Sequence, residues 1–123
     1  MHKGIGLDAF NELPASKAAH ALFECCNSVI MAADLAASRP YADHSALFRK
    51  ADSALFELSE ESVDEILETY TRPSLLARLH ETTRPYDNDY ETGRKALRNE
   101  IAKINRSRLE RMLGPEGGYN NWV

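Results

Sequence analysis

A guanidinium stands among apolar residues near the C-terminal end of the chain. Leu97, Ile101, Ile104, Arg108 and Met112 recur at steps of three and four, so all five fall on one face of a helix. Arginine keeps its charge at neutral pH, and an unpaired charge in an apolar setting costs several kcal/mol. Such a residue either meets a carboxylate of its own fold or lines a pocket that takes an anionic ligand through its planar fork of donors. Spacing alone leaves both open.

Other chemistry-bearing types are sparse. His20 and Glu24 lie one helical turn apart, which suits a surface pair, and His2, His44 and His80 are scattered. None has the spacing of a metal ligand set, so no metal is expected. There is no glycine-rich phosphate loop, no nucleophile elbow and no Cys-x-x-Cys. Cys25 and Cys26 are the only thiols; sequence neighbours make a poor disulfide, so they read as small core residues in a reducing compartment. The acidic run from Glu57 to Glu68 reads as a solvated helix face rather than as a pair of carboxylates tuned for acid–base work.

The elements that must position Arg108 are helices throughout. Leu13-Pro14 opens one through Cys26, and Ser28 caps a second whose run Val29 to Ala36 is apolar on most sides, predicting a central helix. Arg39-Pro40-Tyr41 ends it, because the residue before proline leaves the helical region. Asp43 caps a third helix with Leu47, Ala51, Ala54, Leu55 and Leu58 on its stripe. Ser59 caps a fourth, with Val63, Ile66, Leu67 and Tyr70 inward and acidic residues in its first turn. Arg72-Pro73 breaks that helix, and Ser74 to Glu81 reads as a short one. Thr82 to Asp89 reads as a loop, and a long final helix runs from Tyr90 to Leu113, stopped by Gly114-Pro115. The expectation is an all-α, single-domain bundle of five to six helices spanning residues 1–123, with residues 114–123 as a loose tail.

The 123 residues suffice for one core, and the 43% apolar and 28% charged shares are those of a globular chain. No apolar run approaches the roughly 18–20 residues of a membrane span. The opening Met1-His2-Lys3-Gly4-Ile5-Gly6 lacks the apolar stretch of a secretory signal, so a cytoplasmic location is expected. Net charge is −4 but uneven: residues 1–91 hold 8 Lys/Arg against 16 Asp/Glu, and residues 92–123 hold 7 against 3. The basic final helix then either docks on acidic partners within the fold or carries an anion site. Nucleic acid is disfavoured by a pI near 5.5 and by the lack of aromatics among Arg94, Lys95, Arg98, Lys103, Arg106 and Arg111.

Several stretches together resemble the 2-oxo-4-hydroxy-4-carboxy-5-ureidoimidazoline (OHCU) decarboxylases of urate breakdown. They are Phe10-Asn11-Glu12-Leu13-Pro14, Cys25-Cys26-Asn27-Ser28, Ala36-Ala37-Ser38-Arg39-Pro40-Tyr41, Ala51-Asp52-Ser53-Ala54 and Leu58-Ser59. Asn88, Glu91 and the run from Glu100 to Leu109 continue the likeness. The resemblance implies an all-α, cofactor-free carbon–carbon lyase, usually a homodimer, acting on a small anion, with Arg108 matching the arginine that binds substrate. It also implies a loss: where the family carries its catalytic histidine this chain has Tyr70, in Tyr70-Thr71-Arg72-Pro73-Ser74. The family's Ser-x-x-Glu-Gln and Phe-Gly segments have no counterpart. A tyrosine, with an ordinary pKa near 10, can donate a hydrogen bond or a proton but is a poor base at neutral pH. The expectation is a divergent lyase in which Arg108, helped by Arg72, holds a substrate anion and Tyr70 supplies a proton. The alternative is a non-catalytic descendant that binds a small anion or another protein.

Overall fold

Four helices start by one device: a short polar side chain accepts a hydrogen bond from a backbone N–H of the first turn. In the computed structural model, which describes residues 4–114, Ser28 accepts from Met31, Asp43 from Ala46, Ser59 from Ser62, and Asp89 from Thr92. The helices are α1 (Leu7–Glu12), α2 (Ala15–Cys26), α3 (Val29–Ala37), α4 (His44–Glu57), α5 (Glu60–Glu68), α6 (Pro73–Thr83) and α7 (Tyr90–Leu113). Among the described residues there is no strand, and the fold is all-α.

Among the described residues seven α-helices form where five to six were expected. The addition is α1, whose six residues follow Gly6 with no side-chain cap. The predicted loop before α7 is also partly helical, because α6 runs on to Thr83 and Arg84–Tyr86 make a 3-10 turn. The expected tail lies outside the described residues, apart from Gly114.

One core holds these elements together. Phe10, Leu22, Leu35, Leu47, Leu55, Val63, Ile66 and Ile101 are fully buried within it. At roughly 1.5–3 kcal/mol for each large side chain taken from water, this cluster dominates the stability of the fold. The helix α3 is less central than its composition predicts, because Val29 and Ile30 are 72% and 62% exposed. They occupy its first turn, beyond the cover of α2 and α4.

Residues that carried the family likeness act as fasteners. The Asn11 amide pairs both ways with the Tyr41 backbone, at 3.0 Å in each direction. Arg39 donates to the carbonyls of Phe10 (2.8 Å) and Leu13 (2.7 Å), adding side-chain bonds where the backbone ladder of α1 runs out. The Tyr41 hydroxyl donates to the Leu35 carbonyl at 2.7 Å. The chain's first described residues close the other end. Ile5 and Gly6 donate to Met112 and Leu113 at 2.7 and 2.8 Å, and Gly4, with φ of 78°, lies so near Gly114 that a Cβ there would sit 2.4 Å from its backbone nitrogen. These clasps fix the C-terminal half of α7 against α1 and α2, and Arg108 belongs to that half.

Candidate functional site

Three chain segments converge on Arg108. The first is the end of α2, where Asn27 turns the chain through the left-handed region (φ 59°, ψ 25°), a conformation asparagine tolerates better than most residues. That turn leaves its side-chain carbonyl free, and Arg108 donates to Asn27 Oδ1 at 2.5 Å and to the Cys25 carbonyl at 3.4 Å. The second is the link between α5 and α6. Pro73 forces Arg72 into extended backbone (ψ 120°), so α5 must stop, and the short link carries Tyr70 inward. The third is α7 itself, which brings the Arg108 guanidinium over the Tyr70 ring at 5.6 Å from its centroid, within cation–π range.

The electrostatics single Arg108 out. Arg94 pairs with Glu60 (2.6 Å) and Asp64 (2.9 Å), Arg98 with Glu60 (3.1 Å), Lys103 with Glu100 (3.4 Å) and Arg106 with Asp52 (3.2 Å). Most of the basic charge of α7 is thus answered by acidic side chains of the same fold. Half-buried Arg108 has only neutral acceptors, and among the described residues no carboxylate pairs with it. Arg72 is exposed, with no side-chain hydrogen bond or ion pair among the described residues.

Tyr70 is 5% exposed, and its hydroxyl finds no hydrogen-bond partner among the described residues. Burial raises its pKa above the usual 10, an effect that the nearby Arg108 charge opposes. At neutral pH it is therefore a phenol, able to donate and not to act as a base. A cleft of about 190 Å³ lies on the far side of Asn27 and Thr69, lined also by Phe23, Ser28, Ile30 and Glu65; Tyr70 and Arg108 do not line it. What the geometry brings together is a guanidinium with neutral acceptors and a buried phenol beneath it. Among the described residues no cluster of His, Cys, Asp or Glu is suited to a metal.

Sequence reasoning singled out Tyr70, Arg72 and Arg108, and the structure puts Tyr70 and Arg108 in contact. It missed Asn27, the residue that orients the guanidinium. The available signal was an asparagine directly after a helix, a common left-handed end whose side chain is then free to act.

Cys25 and Cys26 are buried free thiols beside the site. Burial, reinforced by the neighbouring Cys26, pushes Cys25 up to about 12, and burial also raises Cys26. They are thiols at neutral pH, with little nucleophilic character. An acid whose pKa is raised by folding keeps its proton longer in the native state, so stability falls as pH rises past the unfolded value. The urea midpoint should hold steady up to the ordinary thiol value of 9.0 and then decline. The slope should be about 1.4 kcal/mol per pH unit for each thiol. Cys25→Ala should flatten part of that decline; equal midpoints at pH 8 and pH 11 for the wild type would refute it.

An all-helical fold with an unanswered arginine at the meeting of its second and last major helices is the class defined so far. A model of the OHCU decarboxylase family matches residues 11–82, more than half of the chain, and the protein belongs to that family. The matched span runs from the end of α1 into α6 and includes Tyr70 and Arg72; Arg108 lies beyond it. No curated protein matches the chain. Among the described residues no helix is long and apolar enough to cross a membrane.

Proposed function

We propose that the protein is a divergent lyase that binds a small carboxylate-bearing anion at Arg108 and protonates it from Tyr70. One observation carries the reading: among the described residues, a half-buried guanidinium with only neutral partners lies over a buried phenol whose hydroxyl has no hydrogen-bond partner. A ligand anion answers the charge, and its reacting carbon or oxygen answers the hydroxyl. In decarboxylation the bond to the departing carboxylate breaks, and its electron pair moves onto the remaining carbon and the oxygen conjugated with it. The fork of donors on Arg108 anchors the anion through its carboxylate and, as that group leaves, answers the neighbouring oxygen that gains charge. The Tyr70 proton then passes to carbon, and solvent restores the phenol. Exposed Arg72, the residue before α6, is the proposed source of a second positive charge for the anion.

The non-catalytic alternative has its own support. Among the described residues no carboxylate or imidazole bonds to Tyr70 or Arg108, so no neighbouring base is there to assist. On the family's own ureidoimidazoline the expected rate of stereospecific allantoin formation, followed by optical activity, is that of buffer. A panel of small carboxylates then separates the readings. Release of CO₂ faster with protein than without supports the lyase. Saturable, Arg108-dependent binding without CO₂ release supports the binder, and no binding at all defeats both.

A further inference from the structure

Among the described residues three buried side-chain polar atoms lack a hydrogen-bond partner, and they belong to only two residues. One is the Tyr70 hydroxyl. The others are Nδ2 and Oδ1 of Asn105, which is 2% exposed in the middle of α7. Asn105 lies three residues before Arg108 and midway between Ile101 and Leu109, so it shares the inward side of the helix that presents the guanidinium. Every unpartnered buried polar atom in the described chain therefore belongs to a neighbour of Arg108, one through its ring and one through a single helical turn.

This placement runs against stability. Asparagine is a weaker helix former than leucine, and a buried amide with no partner leaves its desolvation uncompensated. A leucine of similar volume would continue the stripe of Ile101 and Leu109 without either cost. The two ends of the Asn105 side chain also differ chemically, since Nδ2 only donates and Oδ1 only accepts. A plain carboxylate satisfies the donor and leaves the acceptor facing negative charge. A primary amide satisfies both.

We propose that Asn105 is a specificity-determining residue of the Arg108 site, selecting an anion that carries an amide-like donor–acceptor edge next to its carboxylate. The proposal rests on the anion-binding reading of Arg108 and adds a ligand class to it.

Oxamate and pyruvate test it, because they share charge, shape and heavy-atom count and differ in an amide NH₂ against a methyl group. Wild type should bind oxamate about tenfold more tightly, equivalent to about 1.4 kcal/mol. In Asn105→Leu the preference should disappear, with pyruvate affinity kept within about twofold and the folded state at least as stable. The side-chain NH₂ resonances of Asn105 in the wild type give a readout that depends on no variant. They should move as oxamate saturates, and move less with pyruvate, which offers no donor to Oδ1. Equal affinities in the wild type, with binding still dependent on Arg108, would overturn the role of Asn105 and leave the anion site standing. An oxamate preference that survives in Asn105→Leu would do the same. If neither probe binds, the anion-site reading fails and takes this proposal with it.

Discussion

Arg108→Gln should fold and bind no carboxylate. Glutamine keeps a donor for Asn27 Oδ1 and removes the charge, so stability should fall by only about 1 kcal/mol, the net worth of a weakened hydrogen bond. Binding should suffer far more. A ligand carboxylate loses two charge-assisted bonds at about 1.5–3 kcal/mol each, a drop in affinity of at least about a hundredfold. The opposing view is that Arg108 simply caps the end of α2 through Cys25 and Asn27. On that view Arg108→Gln lowers stability and leaves carboxylate affinity unchanged. Titration calorimetry beside a urea curve distinguishes the two, because only the first predicts a loss of affinity.

Tyr70→Phe should separate stability from chemistry in the other direction. The hydroxyl is buried and unpartnered, so deleting it relieves a desolvation cost and should raise stability by about 1 kcal/mol. The ring stays beneath Arg108, so anion affinity should change by less than about threefold. If Tyr70 is the proton donor, turnover of the true substrate should fall by about 10²–10⁴, the usual worth of a positioned acid. A variant that is more stable and equally active would remove Tyr70 from the chemistry. A loss of stability would mean that the hydroxyl has a partner within the folded protein.

The site was legible in the sequence to different depths. Helix starts at Ser28, Asp43 and Ser59 could be read because each cap is a single side chain bonding three residues ahead. The short α1 was not legible: its first residue follows an uncapped glycine, and what holds it is Arg39, some thirty positions on, bonding its terminal carbonyls. The exposed Val29 and Ile30 misled for a related reason. An apolar run signals burial only where another element covers it, and here the cover begins one turn later.

Arg108 could be found from spacing, because a charge on an apolar stripe is a local anomaly. That no carboxylate pairs with it among the described residues could not be read, since this depends on where Glu60, Asp64, Asp52 and Glu100 spend their charge on other basic residues. Tyr70 became visible only through the family likeness, which marked it as a residue standing in a histidine's place. Asn27 and Asn105 carried no such mark. Each is an ordinary polar residue until the backbone conformation of the first and the burial of the second are known.

The most direct measurement is nitrogen-detected NMR of the arginine side chains during a pyruvate titration. Arg94, Arg98 and Arg106 already meet carboxylates and serve as internal controls. The Arg108 Nε–H resonance should shift saturably while those three hold still. A resonance that stays fixed to the end of the titration, or four arginines drifting together without saturation, would contradict an anion site at Arg108.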